Sequence, residues 1–338
     1  MVIGIVSGSR ADYGLLEPLA KVIELDPTVG HYFVGIENPM DSDNPQAISL
    51  AMGKTIAEVG SALSKGLMDV VIVLGDRWEI LAVTIAAYIA RIPIAHIHGG
   101  ETTKGSYDDG FRYAISHMAT WHFPAAEPYA EKLRQIGIAP DKIWMHGALG
   151  ADGLTKKMRD PLKVEDLLTV IYHPATAGDE DVGELLAALK DRPERKVVIK
   201  GGVDVNSLDI WTAITGFTMA HGGELVENLP RGEYLKLLAR SKAIVGNSSS
   251  GIVEAPAMGV PTINVGSRQE GRLMADSILN CACKRKDIFA AFAALDSICA
   301  LRQYANPAYD LSRPLPYRGG NVAQKIWGSL KQVVLENA

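Results

Sequence analysis

Short apolar, β-rich runs alternate with amphipathic stretches along the whole chain, and that alternation leaves few folds open. The segments Val2–Ser7, His31–Ile36, Asp69–Leu74, Pro93–Ile97, Trp121–Pro124 and Ile143–His146 read as strands, and Tyr13–Leu25, Glu79–Ala90 and Phe111–Ala119 read as helices between them. Apolar strands separated by helices form βαβ units, whose sheet is parallel and covered on both faces. The rhythm restarts at Leu168–Tyr172 and continues through Lys196–Ile199, Ala243–Val245 and Thr262–Val265. The polar, Pro-containing stretch Lys156–Asp166 reads as a linker. The expectation is an α/β protein of two doubly wound domains, with parallel sheets facing a central cleft. Residues 1–158 form the first domain and residues 166–320 the second, and a C-terminal helix over 321–338 packs back on the first.

Composition narrows the function. The 338 residues carry 47% hydrophobic and 22% charged side chains and a net charge of −5, with no basic run, which argues against nucleic-acid or anionic-membrane binding as the main role. The most apolar stretch, Ile80 to Ala95, holds Arg91 and Pro93 and reads as a helix followed by a strand, not a membrane span. Met1 leads directly into a strand pattern with no basic start, so no secretory leader is read and a cytoplasmic protein is expected. Three cysteines without zinc-site spacing point to reduced thiols and no metal.

Ligands of open α/β sheets sit beyond the carboxyl ends of the strands, and the unusual polar residues fall there. Ser7 to Asp12 follow the first strand, Gly75-Asp76-Arg77 the third and His98-Gly99-Gly100-Glu101 the fourth; His173-Pro174 ends the first strand of the second half. Most informative is Gly246 to Pro256, a Ser-rich, Gly-flanked strand-to-helix turn. Its hydroxyls and free amides suit a phosphate, and Glu254 lies about one turn further in, where a carboxylate accepts from sugar hydroxyls. An ordinary Ser cap before a core helix is the plainer alternative.

Taken in order, Gly8-Ser9-Arg10-Ala11-Asp12-Tyr13-Gly14, Gly75-Asp76-Arg77-Trp78-Glu79, His96-Ile97-His98-Gly99-Gly100-Glu101, Tyr107-Asp108-Asp109-Gly110-Phe111-Arg112, His173-Pro174, Gly246 to Glu254 and Gly266 to Arg272 resemble the hydrolysing UDP-N-acetylglucosamine 2-epimerases of sialic and legionaminic acid synthesis. The resemblance spans nearly the whole chain and implies a two-Rossmann, GT-B-like fold. Non-hydrolysing relatives typically show Gly-Thr-Arg-Pro-Glu and Gly-Asp-Thr where this chain reads Gly-Ser-Arg-Ala-Asp and Gly-Asp-Arg. The implied reaction removes the C2 proton, expels UDP from C1 to leave a glycal, and adds water, giving N-acetylmannosamine and UDP without a metal or redox cofactor.

The resemblance implies roles for particular residues. Asp76, Asp108 and Glu101 are the carboxylates near C1 and C2; Asp108 does acid/base work, unless it and Asp109 only cap the helix through Phe111. His98 stands where some relatives carry Glu and shares the proton transfer. His173 lies near the diphosphate. Arg10 and Arg268 are the cations for the diphosphate and nucleotide, because a planar guanidinium matches phosphate oxygens. Ser248 and Ser249 hold the β-phosphate and Glu254 the ribose. Asp12, Arg77 and Arg112 are further binding candidates, although Arg77 could simply pair with Asp76. Trp78 and Trp121 could stack on a base, but such aromatics more often lie in the core.

Two departures stand out. The chain passes from Phe33-Val34-Gly35 to Asn38-Pro39-Met40-Asp41 where relatives carry several tens more residues, and Gly202 to Asn206 reorders an Asn-Ala-Asp pattern. The substrate is UDP-N-acetylglucosamine or UDP-N,N′-diacetylbacillosamine. A glycosyltransferase of the same fold would need an acceptor groove and would not need the dense carboxylates; a nucleotide-sugar binder that lost its loop is the third reading. A homodimer or homotetramer is expected.

Overall fold

The computed structural model describes residues 1–36, 44–160, 163–175, 180–201, 207–302, 315–317 and 320–336, without the side chains of 10, 11, 301 and 302. The two departures at 38–41 and 202–206 therefore lie outside the described residues, as does the side chain of Arg10.

The chain divides into two compact units: Met1–Thr102 with Tyr107–Gly153 and Gly319–Ala338, and Thr103–Ser106 with Leu154–Arg318. Unit 1 runs β1 Val2–Ser7, α1 Arg10–Glu24, β2 Gly30–Gly35, α2 Pro45–Leu63, β3 Val70–Leu74, α3 Trp78–Ile89, β4 Ile94–Ile97, α4 Asp108–Met118, β5 Trp121–Phe123 and α5 Glu127–Gln135. Its five strands are parallel in the order β2-β1-β3-β4-β5. β3, Val-Val-Ile-Val-Leu, is buried at every position, as a central parallel strand covered on both faces must be. One face carries a core of Ile3, Ile5, Leu16, Leu19 and Ile72, and the other holds Val71, Val73, Ile80 and Val83. Each such side chain, taken out of water, contributes about 1.5–3 kcal/mol.

Unit 2 runs β6 Leu167–Ile171, α6 Val182–Lys190, β7 Arg195–Ile199, α7 Ser207–His221, β8 Glu224–Val226, α8 Arg231–Arg240, β9 Ala243–Gly246, α9 Glu254–Met258, β10 Thr262–Val265, β11 Ile278–Cys281 and α10 Arg285–Arg302. Its sheet is parallel in the order β11-β10-β9-β6-β7-β8. The last helix, α11 Val322–Glu336, returns to unit 1 against α1. It buries Ile326, Trp327 and Leu330, and Trp327 Nε1 and Lys331 Nζ both donate to Asp26 (3.0 and 2.6 Å).

The strand expected over Ile143–His146 does not form. Ile143 makes a single bridge to His122, because β5 offers only three residues and Gly147 turns the chain away at φ 103°. Trp78 and Trp121 are core residues. All three cysteines are free thiols, and no described helix is long and apolar enough to cross a membrane.

Candidate active site

Each sheet reverses its strand order once. In unit 1 the chain winds from β1 outward to β2 and then to β3 on the other side; in unit 2 it winds from β6 to β7 and later to β9 on the other side. A crevice opens beyond the strand ends at such a switch point. The β1/β3 switch carries Ser7–Asp12 and Gly75–Arg77; the β6/β9 switch carries His173 and Asn247–Ser249.

At the unit 1 switch, Ser9 caps α1 by accepting from the Asp12 amide (3.2 Å). Asp12 is half-buried. Burial pushes its carboxyl up to about 6, against the opposing pull of Arg77. Arg77 does not pair with Asp76; it folds back on Glu79 through Nε (3.2 Å) and Nη2 (2.9 Å). Asp76 instead accepts from Arg112 Nη2.

Arg112 is the hub of this cluster. It is 1% exposed. Its Nη1 donates to the His98 carbonyl (3.2 Å) and lies 3.7 Å from Glu101 Oε2, and its Nε lies 3.8 Å from Asp109 Oδ1. His98 takes a left-handed backbone (φ 66°), uncommon for a residue with a side chain, and its Nδ1 sits 3.0 Å from Glu101 Oε1. One buried guanidinium thus gathers Asp76, Glu101 and Asp109 and fixes the turn that bears His98. Beneath it, His96 Nε2 donates to the Gly75 carbonyl (2.8 Å), and its Nδ1 accepts from Ser116 Oγ (3.1 Å). A carbonyl can only accept, so Nε2 carries the proton and Nδ1 of the neutral ring is the acceptor. Burial pushes His96 down to about 3.

Asp108 and Asp109 open α4. The cap itself is Tyr107, with no side-chain capping bond, so the capping alternative for the two carboxylates does not hold. Asp76, Asp108 and Asp109 are half-buried, whereas Glu101 and Arg112 are fully enclosed.

At the unit 2 switch, Asn247 clamps His173: its Oδ1 accepts from the His173 amide (2.7 Å) and its Nδ2 donates to the His173 carbonyl (2.8 Å). Gly246 permits this approach, since at φ 134° a Cβ there would stand 2.7 Å from the Ile171 carbonyl carbon. The Asn247 carbonyl accepts from Gln269 Nε2 (2.8 Å) and Arg268 Nη1 (3.3 Å), which draws the Arg268 turn to the same spot. Ser248 caps the 3-10 turn Ser249–Gly251; Ser249 is exposed. α9 has only five residues, so the favourable dipole expected of a long helix is small, and the hydroxyls and amides of the turn carry the anion-binding capacity. Glu254 is the first residue of α9 and pairs with Arg231 Nη1 (2.5 Å). Tyr234, whose hydroxyl meets Ser250 Oγ, is pushed above the usual phenol range by burial and by Glu254.

Sequence reasoning did not find Arg231 or Tyr234 as parts of this site, and it named Asn247 and Gln269 only within their motifs, without a role of their own. A Pro-Arg dipeptide before α8 and an Asn after a strand were the available signals. Among the described residues, no cluster of three His, Cys, Asp or Glu side chains is arranged for a metal ion.

The fold is that of the two-Rossmann α/β proteins. An S. aureus MnaA–UDP co-structure superposes with a TM-score of 0.78 at 17% identity, covering 98% of this chain and 96% of that one. Residues 5–331 match the family described as UDP-N-acetylglucosamine 2-epimerase, and the chain belongs to that family. It is 31% identical over 335 residues to a GDP/UDP-N,N′-diacetylbacillosamine 2-epimerase (hydrolyzing) of Campylobacter jejuni, covering 87% of each chain. It is 28% identical over 374 residues to a UDP-N,N′-diacetylbacillosamine 2-epimerase (hydrolyzing) of Legionella pneumophila, covering 98% of this chain and 96% of that one.

Proposed function

We propose that the protein is a hydrolysing 2-epimerase that converts UDP-N-acetylglucosamine and water to N-acetylmannosamine and UDP. Asp108 takes the C2 proton; the C–H electron pair forms the C1–C2 double bond, and the C1–O bond breaks with its electrons leaving on UDP. Water then places its oxygen on C1, and a proton is delivered to C2 on the opposite face, which inverts that centre. A sugar C2–H is barely acidic, so the reaction needs a base and a fixed positive environment for the departing diphosphate.

The observation that carries this reading is the arginine-centred cluster of unit 1. It keeps Asp76, Glu101, His98 and Asp109 together, with Asp108 beside them at the start of α4. Ser248, Ser249, Arg268 and His173 are assigned to the diphosphate and Glu254 to the ribose, with Arg10, Asp12 and Arg77 as further contacts. Arg112, enclosed among carboxylates, acts on them and not on phosphate. The Gly-Ser-Arg-Ala-Asp and Gly-Asp-Arg motifs support hydrolysis over reversible epimerisation. The enzyme is taken to be a cytoplasmic homodimer or homotetramer that uses no metal or redox cofactor. The names of the Campylobacter and Legionella relatives favour UDP-N,N′-diacetylbacillosamine as a second substrate.

Chromatography of products from both UDP-sugars tests the reading. Free UDP with a free 2-epimerised sugar is expected; an intact UDP-sugar epimer with no UDP would assign the chain to the non-hydrolysing reaction.

A further inference from the structure

Four residues, Thr103–Ser106, belong to unit 2 although the chain on either side runs through unit 1. They close a β-turn in which the Ser106 amide donates to the Thr103 carbonyl (2.9 Å). The turn is fastened to Ser267–Glu270: the Lys104 amide donates to the Glu270 carbonyl (2.9 Å), and Lys104 Nζ pairs with the Glu270 carboxylate (3.1 Å). Gly105 lies so close that a Cβ on it would stand 2.6 Å from both the Arg268 amide nitrogen and the Ser267 carbonyl carbon, which are backbone atoms. Its φ is outside the left-handed region, so the glycine is there for space and not for conformation.

Ser267–Glu270 is tied by the Ser267 amide to Glu180 (2.5 Å), the Glu270 amide to the Ser267 carbonyl (2.8 Å) and Gln269 Nε2 to Asn247 (2.8 Å). The Thr103–Ser106 turn is held by its closing bond, by the Lys104 contacts and by further contacts of Thr103 and Ser106. Glu101 lies two residues before it and Asp108 two residues after.

We infer that Gly105 is a positioning residue: it seats the turn that joins Glu101 to Asp108 against the segment bearing Arg268, and this seat sets where Asp108 stands. The inference rests on the proposed reaction, in which Asp108 takes the proton.

The test is Gly105→Ala in the full chain, with turnover, UDP affinity by calorimetry and thermal unfolding measured together. A displaced acid/base group costs roughly ten- to a hundredfold in kcat, while UDP affinity stays within about threefold and the variant still melts cooperatively. Wild-type turnover would overturn the inference, as would parallel losses of turnover and UDP affinity. If the alanine variant does not fold, Lys104→Pro removes the amide donor from an exposed residue, and the same split is expected; a wild-type kcat there counts against the seat. If the wild-type protein binds UDP but turns over neither UDP-sugar, the reaction is misassigned. The seat is then read by hydrogen exchange at Lys104, where Gly105→Ala should speed exchange and an unchanged rate contradicts the inference.

Discussion

Arg112 shows how much one residue organises. Its guanidinium is enclosed, meets Asp76 directly and lies within 4 Å of Glu101 and Asp109. A fixed cation of this kind holds neighbouring carboxylates in place. Asp108 stands half-buried beside that cluster, at the start of α4. Asp108→Asn should therefore lower kcat by about 10²–10⁴-fold with UDP affinity retained. Steady-state assays with calorimetry check this; wild-type turnover in the variant would remove Asp108 from the mechanism.

At the scale of elements, the β6/β9 switch depends on Asn247, which is fully buried and bonds to His173, Gln269 and Arg268. Asn247→Ala removes the side-chain partner of the part-buried His173 amide and carbonyl. Each group left unpaired costs about 1–3 kcal/mol, so a loss of stability of about 2–4 kcal/mol and weaker UDP binding are expected together. Urea unfolding and UDP titration measure the two effects; a change below about 0.5 kcal/mol would mean that the clamp is replaced by water.

The placement of elements was largely legible. β1 and β10 fall on their expected residues, and most other strands within one position, because buried parallel strands are apolar without interruption. β8 and β11 escaped notice because they are short and carry polar residues, Glu224 at the start of one and Asn280 within the other. The polar strand ends were legible for the same reason the strands were. The pairings Arg77–Glu79, Asp76–Arg112 and Arg231–Glu254 were not, since two of the three join elements that sequence patterns read separately. The seat of Gly105 joins segments more than 160 residues apart, beyond any local pattern.

At the scale of the whole molecule, buried titratable groups set how the fold responds to acid. His96 is held down to about 3 and His122 to about 4, both first by burial. The unfolded chain takes up protons on these rings below about pH 6.5, while the folded protein refuses them until the lower values, so stability falls as pH drops through that window. Asp12, raised to about 6, acts oppositely: the folded protein holds its proton above the unfolded value of 3.8, so stability falls as pH rises from there to about 6. Two histidines outweigh one carboxyl, so the urea midpoint should fall between about pH 7 and pH 5, and His96→Gln should flatten that slope. An unaltered slope in the variant would mean that His96 titrates normally.

The proposed reaction runs by elimination to a glycal followed by hydration. Proton NMR of the protein with UDP-N-acetylglucosamine, and in parallel UDP-N,N′-diacetylbacillosamine, in deuterated water tests it most directly. Free UDP and a free 2-epimerised sugar carrying deuterium at C2 are expected. A product that keeps its original C2 hydrogen would contradict it, because no proton would then have left that carbon for solvent.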